Sequence, residues 1–264
     1  VSRQIAALEE ALGVSLFQRH ARGLVLTDSG HTLFRSTMEM ATAAQSANAL
    51  LKDQQETPQG ELIVAAPVAF GSTWLVPRLG GFARKHPDMN LDLRLDDSRE
   101  YDLLKLEAEC AIRLWAADKA DLIQRKLFTV HFHVYASPAY LNKYGRPETA
   151  EDLDKHRIIG FGEPAPAYLM EMRSFLTLGR PTTEPRVPVL EINSIMSIKR
   201  AVQRGIGIAM LPDYAVEPDA GLVQLLVNTE LPTFDTYFVY PEAMRNSAKL
   251  QAFRDFLISK SRSW

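Results

Sequence analysis

The first helical segment of the chain presents hydrogen-bonding side chains on one face. Ser2, Arg3 and Gln4 stand opposite an apolar stripe that includes Val1 and Ile5. An exposed Arg matches the two acceptors of guanine, an amide matches adenine, and a hydroxyl reaches bases or phosphates. An ordinary solvated helix face has the same composition, and composition alone favours that simpler interpretation. Both interpretations stay open at this point.

A short basic stretch follows this helix. Arg19, His20 and Arg22 lie between the apolar residues 16–17 and 24–26, a pattern that predicts a small hairpin with a basic tip. Such a tip suits contact with phosphate groups or with a minor groove. The alternative is a basic surface turn that binds nothing.

A third group of residues connects a predicted strand to a predicted helix. It consists of Phe70, Gly71, Ser72 and Thr73. This connection would place backbone N–H groups and two hydroxyls at a helix N-terminus, where anions bind. Ligands of open α/β sheets lie at the carboxyl ends of the strands, which agrees with such a role. Alternatively, Ser72 or Thr73 only caps the helix.

Candidate ligand contacts also follow other predicted strands. Arg113 lies among apolar residues and needs a partner. That partner is either the carboxylate of a ligand or an Asp or Glu of the chain, and the two are equally favoured. Trp115 could line a pocket, although core packing is the commoner role. Phe161, Asn193 and Ser194 could complete a cleft from its other side, but capping explains the last two equally well.

Metal and catalytic chemistry find little support in the sequence. His131 and His133 share one face of a predicted strand, but no third ligand stands at a useful spacing. Gly205 and Gly207 follow a helix and precede a strand, the reverse of a nucleotide-binding loop. The chain has no hydrolase elbow, Walker or zinc-protease motif, and Cys110 reads as a small buried residue. We therefore predict no catalytic centre, cofactor or metal.

Composition sets broader limits. The 264 residues are 46% hydrophobic and 23% charged, as expected for a folded protein with a sizeable core. The formal net charge of -2 means that any signal for nucleic acid must be local. We expect no membrane partner, because no apolar run is long enough for a span. The single cysteine fits a reducing cytoplasm. Because the chain opens within a helical pattern, we expect residues upstream of Val1.

The N-terminal part reads as helix, hairpin and helix. Residues 1–12 predict a helix that ends at Gly13. A second helix is predicted over 28–55, with apolar residues at roughly heptad spacing at Leu33, Met40, Ala44, Ala47 and Leu51. A helix of about 40 Å cannot bury its own apolar stripe, so it is expected to form a dimer. Packing against its own chain is the alternative.

Strands and helices alternate after a break at 57–60 that predicts a domain boundary. The predicted strands are 61–66, 90–96, 110–115, 132–136, 157–161, 187–192, 206–211 and 236–240. The predicted helices are 71–85, 101–109, 138–144, 194–204 and 246–259. This alternation predicts an α/β domain with a parallel or mixed sheet that helices cover on both faces.

The chain resembles the LysR-type transcriptional regulators in the spacing of its first 30 residues. The residues that carry this resemblance are Ser2, Arg3, Gln4, Ile5, Leu8, Glu9, Leu12, Gly13, Leu16, Phe17, Arg19, Leu26, Thr27 and Gly30. Later stretches, such as 66–71, 82–87, 111–114, 136–141 and 205–212, resemble the effector domain of the same family. The resemblance therefore covers essentially the whole chain.

The resemblance implies an α/β protein in three parts. These are a partial winged helix-turn-helix at 1–27, a linker and dimerisation helix at 28–57, and an effector-binding domain at 60–264. The last part is expected to resemble periplasmic binding proteins, with one lobe of 60–130 and 240–264 and another of 131–239. The family's first two helices are absent from this chain.

The expected function is that of a regulator that binds double-stranded operator DNA and responds to a small molecule in the cleft between the lobes. The N–H groups and hydroxyls at Phe70–Thr73 and the positive charge of Arg113 suggest a small anionic effector, and the linker suggests a homodimer or homotetramer. A solute-binding protein of a transport system is one alternative, but it needs a signal peptide. An enzyme that binds a substrate anion through Arg113 is another, but no nucleophile–base pair supports it.

Overall fold

The structure, a computed structural model, describes residues 2–20, 23–37, 40, 57–262 and 264. Helix α1 spans Ser2–Leu12 and ends at Gly13, whose φ of +69° suits glycine. Strands β1 (Phe17–His20) and β2 (Gly23–Leu26) form an antiparallel hairpin, as predicted. Helix α2 covers residues 28–37, and residue 40 is helical. The rest of the predicted helix to residue 55 lies outside the described residues.

The larger part of the chain combines strands with α- and 3-10 helices. The strands are β3 (Gly60–Ala66), β4 (Met89–Leu95), β5 (Cys110–Arg113), β6 (Leu122–Ala136), β7 (Ile159–Phe161), β8 (Leu190–Ile192), β9 (Ala209–Pro212), β10 (Val223–Leu225) and β11 (Thr233–Pro241). Helix α3 covers residues 68–85, and the later α-helices are α4 (Pro138–Tyr144), α5 (Ile195–Gln203) and α6 (Ala248–Ser261). The 3-10 segments are Glu151–Lys155, Ala167–Thr177, Asp213–Ala215 and Glu242–Met244.

Helix α3 covers residues 68–85 and changes its winding along its length. An α-turn at Val68–Phe70 passes into a π-turn at Gly71–Leu75, a 3-10 turn at Val76–Arg78 and a final α-helix at Leu79–Lys85. Pro77 has no N–H to donate, which accounts for the change of winding around it. The helix therefore begins three residues before the predicted start.

The main sheet has the strand order β10-β6-β11-β5-β3-β4, and β9 also pairs with β6. Strand β3 is parallel to both β4 and β5, whereas β11 is antiparallel to β5 and β6. The mixed sheet predicted from the alternating pattern is thus present. Because β3, β4 and β5 run the same way, their carboxyl ends meet at one edge.

Strand β6 takes part in two groups of strands. Its first portion pairs with β11, from Leu122 to His131. Its second portion, Phe132 to Ala136, pairs with β9 and β10. A single 15-residue strand therefore connects the two halves of the α/β domain, one containing β3, β4, β5 and β11 and the other containing β9 and β10.

The core is a continuous cluster of buried apolar side chains that spans both halves. Leu62 of β3, Ile112 of β5 and Phe253 of α6 belong to it in one half, with Phe132 and Ile198 in the other. Their exposed fractions are 2% or less, so the two halves share one well-packed interior.

The predicted helix at 101–109 is wrong. The Asp102 carboxylate accepts a hydrogen bond from the backbone N–H of Leu104, at 3.0 Å, and so competes with helical bonding. Leu106 then adopts a positive φ of 53°, and the N–H of Glu107 donates to the carbonyl of Asp102. These contacts close one turn and prevent a second.

Other predicted elements differ mainly in length. Strand β6 begins ten residues earlier than predicted, and the segments Ala167–Thr177 and Val223–Leu225 were not predicted at all. Strands β7, β8 and β9 are shorter than predicted, although Ile158 and Ile208 add an isolated parallel bridge beside them.

Candidate functional sites

The exposed face of α1 presents the two predicted base-contacting side chains that the structure describes. Arg3 and Gln4 are exposed, whereas Ile5 on the opposite stripe is half-buried. Ser2 lies at the start of the same helix, but its side chain is outside the described structure. The helix therefore offers an Arg and a Gln to solvent at its N-terminal end, as a recognition helix requires.

Glu9 fixes the end of α1 against the hairpin. Its carboxylate accepts hydrogen bonds from the backbone N–H of Leu16, at 2.6 Å, and of Phe17, at 3.1 Å. These two donors stand where the chain enters β1. A single side chain thus sets the angle between the helix and the hairpin.

Thr27 and Gly30 bring the start of α2 against the same turn. The N–H of Thr27 donates to the Leu16 carbonyl at 2.9 Å, and its hydroxyl donates to the Ser15 carbonyl at 2.6 Å. The Thr27 hydroxyl also accepts from the N–H of Gly30, as a helix cap does. A Cβ on Gly30 would lie 2.0 Å from the Leu16 carbonyl oxygen, so only glycine fits here.

The predicted basic tip lies partly outside the described residues. Arg19 and His20 belong to β1, but the structure says nothing of their side chains. Arg22 is not among the described residues. The three remain predictions as phosphate contacts.

A pocket of about 580 Å³ opens at the carboxyl ends of the parallel strands. Its floor includes the last residues of β3 and β5, and its rim includes the loop that follows β4. The lining residues are Ala65, Ala66, Pro67, Asp96, Asp97, Ser98, Arg99, Glu100, Tyr101, Ala111, Ile112, Arg113, Trp115, Pro166 and Tyr168. Arg113 and Trp115, predicted from sequence, are therefore brought together here.

The prediction that Phe70, Gly71, Ser72 and Thr73 lie at a helix N-terminus is wrong, and their role as effector contacts stays a prediction. None of them lines the pocket, because α3 has already begun at Val68. Phe70 is fully buried in the core, and the N–H of Gly71 donates to a carbonyl one turn earlier. The Thr73 hydroxyl donates to the Ala69 carbonyl at 2.8 Å, and Ser72 is exposed to solvent.

The true start of α3 is occupied by a carboxylate of the chain itself. The N–H of Val68 donates to Oδ1 of Asp97 at 3.0 Å. The Tyr168 hydroxyl donates to the same oxygen at 3.2 Å. Negative charge is favourable at a helix N-terminus, so Asp97 fills the position that a bound anion would take.

Arg113 has an internal partner as well. It is buried, with 5% of its surface exposed, and its guanidinium lies 2.8 Å from Oε1 of Glu100. Burial lowers the pKa of Arg113 from its usual value, whereas the negative charges of Glu100 and Asp102 oppose that shift. Of the two partners considered from sequence, the structure contains the acidic residue.

An aromatic pair forms one wall of the pocket. The rings of Trp115 and Tyr168 stack with centroids 5.1 Å apart and an interplanar angle of 19°. Burial raises the pKa of the Tyr168 hydroxyl well above its ordinary value, so this hydroxyl stays protonated and can donate to Asp97. Tyr168 comes from the 3-10 segment Ala167–Thr177, whereas Trp115 follows β5.

The residues predicted on the far side of the cleft do not reach the pocket. Phe161 is buried in the core, with 3% of its surface exposed. Ser194 caps α5, because its hydroxyl accepts from the N–H of Ser197 at 3.4 Å. Asn193 is exposed just before that cap. The capping alternative therefore describes Ser194.

The two strand histidines have protein partners. His131 lies 3.7 Å from Asp213 and His133 lies 3.0 Å from the side-chain amide of Gln224. Burial lowers the pKa of His133 from its usual value. Within the part of the chain that is described, no group of three or more potential ligands could hold a metal.

Several pocket residues were missed from sequence. The run 96–100 directly follows a parallel strand, so its acidic residues carried a usable positional signal. Tyr168 carried none, because it stands in a segment that was not assigned to any element. Tyr101 was placed in a helix that does not form.

Comparison with known proteins agrees with this two-part arrangement. Residues 1–31 match the bacterial regulatory helix-turn-helix of the lysR family, and residues 55–262 match the LysR substrate binding domain. The chain belongs to the LysR family of transcriptional regulators. It is a DNA-binding regulator of transcription with an effector-binding domain.

Relatives in this LysR family align with nearly the whole chain. A transcriptional regulator of Xanthomonas campestris pv. campestris is 30% identical over 98% of this chain and 76% of its own length. CrgA of Neisseria meningitidis serogroup C is 30% identical over 98% of this chain and 87% of its own. Neither comparison supports the alternative of a transport solute-binding protein, and the family consists of regulators rather than enzymes.

Solved structures of LysR-type regulators share the fold. The match to the structure of CrgA from Neisseria meningitidis covers 98% of this chain and 88% of the CrgA chain, with a TM-score of 0.68 and 29% sequence identity. The virulence activator AphB of Vibrio cholerae also has a TM-score of 0.68, at 24% identity.

In the described ranges, no helix is both long enough and apolar enough to span a membrane.

Proposed function

We propose that this LysR-type regulator reads double-stranded operator DNA with the exposed face of α1. Arg3 and Gln4 are free to reach base edges there, and Ser2 precedes them on the same helix. Arg19, His20 and Arg22 are proposed to contact phosphates from the hairpin. The bacterial cytoplasm, where such DNA lies, is the proposed place of action.

The effector is proposed to bind in the 580 Å³ pocket. This volume lies within the range of small-molecule sites, and the pocket stands at the carboxyl ends of parallel strands, where such sites form. The observation that carries this proposal is the hydrogen bond of Tyr168 to Asp97, at 3.2 Å. It joins the 3-10 segment beside β7 to the loop after β4, so a ligand in the pocket contacts both sides.

A ligand can change DNA binding only if it binds two arrangements of the protein with different affinity. The proposed arrangements differ in the position of the segment that carries Tyr168 relative to β3 and β5. Coupling to DNA requires assembly as a homodimer or homotetramer, which we propose to involve α2 and its continuation.

Selection from a random-sequence duplex pool, with the protein as its gene encodes it, tests this function. A recovered consensus supports it, whereas recovery without sequence preference contradicts it. On the recovered duplex, Arg3→Ala should weaken binding by about 1–3 kcal/mol and relax the preference at one base pair. Arg84→Ala, an exposed Arg on α3, is the matched control and should leave both unchanged.

A further inference from the structure

Part of the pocket wall is aromatic and apolar. Trp115 and Tyr168 present stacked rings, and Tyr101 adds a third aromatic side chain. Pro67 and Pro166 complete these walls. Aromatic surfaces favour offset or edge contacts with another ring, so the walls suit a planar aromatic body.

The positive groups that line the pocket are already bound to acidic residues. Arg113 pairs with Glu100 at 2.8 Å. Arg99 pairs with Glu107 at 2.8 Å, and its guanidinium lies over the Tyr101 ring at 4.9 Å. A ligand carboxylate would have to break one of these pairs before it could use either Arg.

Two further carboxylates, Asp96 and Asp97, line the pocket, and neither forms such an ion pair with the residues that the structure describes. Oδ1 of Asp96 accepts from the N–H and the hydroxyl of Ser98, both at 2.7 Å. The hydrogen bond from the Ser98 hydroxyl lowers the pKa of Asp96 the most, and the bond from the Ser98 N–H lowers it further. Asp96 therefore remains ionised. Oδ1 of Asp97 accepts from Val68 and Tyr168, and Oδ2 has no hydrogen-bond donor among the described residues. A carboxylate has room for further donors, so the pocket offers acceptors.

The balance of charge follows from these residues. The lining contains three carboxylates, Asp96, Asp97 and Glu100, and two guanidiniums, Arg99 and Arg113. An anionic ligand at the start of α3 would meet Asp97, and like charges at short range repel. The sequence suggested two features that could bind an anion. The first, residues 70–73, lies in a helical turn outside the pocket, and the second, Arg113, is already paired with Glu100.

We propose that the pocket selects a planar aromatic molecule that carries a cationic or hydrogen-bond-donating group, such as an amidine, an amine or an amide. Its ring lies against Trp115 and Tyr168, and its donor group bonds Asp97. This inference rests on the effector role proposed for the pocket. It replaces the anionic class expected from the sequence.

Three probes of nearly equal shape test this selection on the whole chain by titration calorimetry: benzamidine, benzamide and benzoate. We expect benzamidine to bind more tightly than benzamide and about tenfold more tightly than benzoate, as one charge-assisted hydrogen bond provides. Benzoate that binds as tightly as benzamidine overturns the proposal. Failure of all three probes at millimolar concentration overturns it as well.

Variants locate the effect within the pocket. Asp97→Asn should lower benzamidine affinity about tenfold without weakening benzoate, since it removes the charge and keeps an acceptor. Glu100→Gln should raise benzoate affinity, because Arg113 loses its internal anion. Asp219→Asn, an exposed acid outside the pocket, is the control and should change nothing.

The outcomes separate this inference from the proposed function. Unchanged probe preference in both Asp97→Asn and Glu100→Gln refutes the ligand class, even if the protein still binds its selected duplex. If Asp97→Asn does not fold, as judged by circular dichroism, the Glu100→Gln result alone decides. If the duplex selection recovers no sequence preference but the three probes bind in the expected order of affinity, the regulatory role is refuted and the inference about the pocket stands.

Discussion

The Tyr168 hydroxyl donates to the same Asp97 oxygen that accepts the first N–H of α3. One carboxylate thereby holds a helix start and a distant aromatic segment together. The Tyr168 ring also stacks on Trp115, so this contact combines a polar and an apolar component. The geometry of the pocket therefore depends on Asp97, Tyr168 and Trp115, and each of these side chains can be substituted separately.

Tyr168→Phe should lower the free energy of unfolding by about 1–2 kcal/mol, because it deletes a partly buried hydrogen bond to a charged acceptor and keeps the ring stack. Urea denaturation followed by circular dichroism measures this change. Tyr144→Phe, on a half-exposed ring of α4, is the matched control and should change stability by less than about 0.5 kcal/mol. Equal values for the two variants would contradict the assigned role of the hydroxyl.

Gly30→Ala should destabilise the junction between the hairpin and α2 by about 1–3 kcal/mol, because its Cβ would overlap the Leu16 carbonyl oxygen. We expect weaker binding to the selected duplex, measured by fluorescence anisotropy. Gly81→Ala is the control, since a Cβ there meets nothing within 4 Å in a helical position. It should be neutral or slightly stabilising. Full duplex binding by Gly30→Ala would show that this close approach is not needed.

Lys249→Met should cost about 3–5 kcal/mol, because it leaves the buried carboxylate of Glu109 without its cation. The two side chains are 2.5 Å apart, and Oε2 of Glu109 also accepts from the N–H of Ile63. The double variant with Glu109→Gln removes the charge, keeps an acceptor for Ile63 and should recover part of the loss. Lys85→Met, on an exposed Lys, is the control. A double variant no more stable than Lys249→Met alone would argue against an uncompensated charge.

Asp154 provides a test by pH. Its Oδ1 accepts from Nε of Arg180 at 2.8 Å and Nε of Arg186 at 2.7 Å. The Arg180 hydrogen bond, with that of Arg186, lowers the pKa of Asp154 below its usual range. Its stabilising effect is therefore present above the ordinary Asp pKa of about 4 and is lost as pH falls through the lowered value.

Asp154→Asn should accordingly unfold more readily than the unmodified protein at neutral pH. The difference should begin to shrink as the pH falls below about 4, where the carboxyl becomes protonated in the unfolded chain. It should vanish once the pH passes the lowered pKa of the folded protein, because Asp154 is then uncharged in both states. Thermal unfolding across a pH series checks this. A difference that stays constant down to the acid transition would exclude the ion pairs as its cause.

Local sequence signals predicted elements whose ends are fixed by nearby residues. The bounds of α4 were predicted correctly, because Ser137 caps it, Pro138 opens it and Gly145 ends it with a φ of +82°. The helix at 101–109 failed because the Asp102 side chain competes with the backbone, which hydrophobic spacing does not reveal. The length of β6 depends on pairing with β11, more than 100 residues away, and is not a local property.

The candidate site divides in the same way. Arg113 and Trp115 were found because they end a strand, and strand ends meet at one edge of a parallel sheet. The stretch around Ser72 does not lie at a helix start, because the helix begins at Val68, three residues before the predicted start at 71. Tyr168 could not be found, because only the folded chain brings it from residue 168 to residues 97 and 115. The composition of a pocket depends on such long-range contacts.

Strand β6 also limits how the two halves of the α/β domain can move. Its residues up to His131 bond β11, and those from Phe132 onward bond β9 and β10. If one half slid past the other along β6, the backbone hydrogen bonds between the strands would break, because each of them lies perpendicular to the strand axis. Rotation about the φ and ψ bonds near residues 131 and 132 leaves the strand pairs on either side in register, although it strains the bond from the Phe132 N–H to the Pro232 carbonyl. A change in the angle between the two groups of strands at this point would therefore alter the opening of the pocket and keep the register of the strands that form its floor.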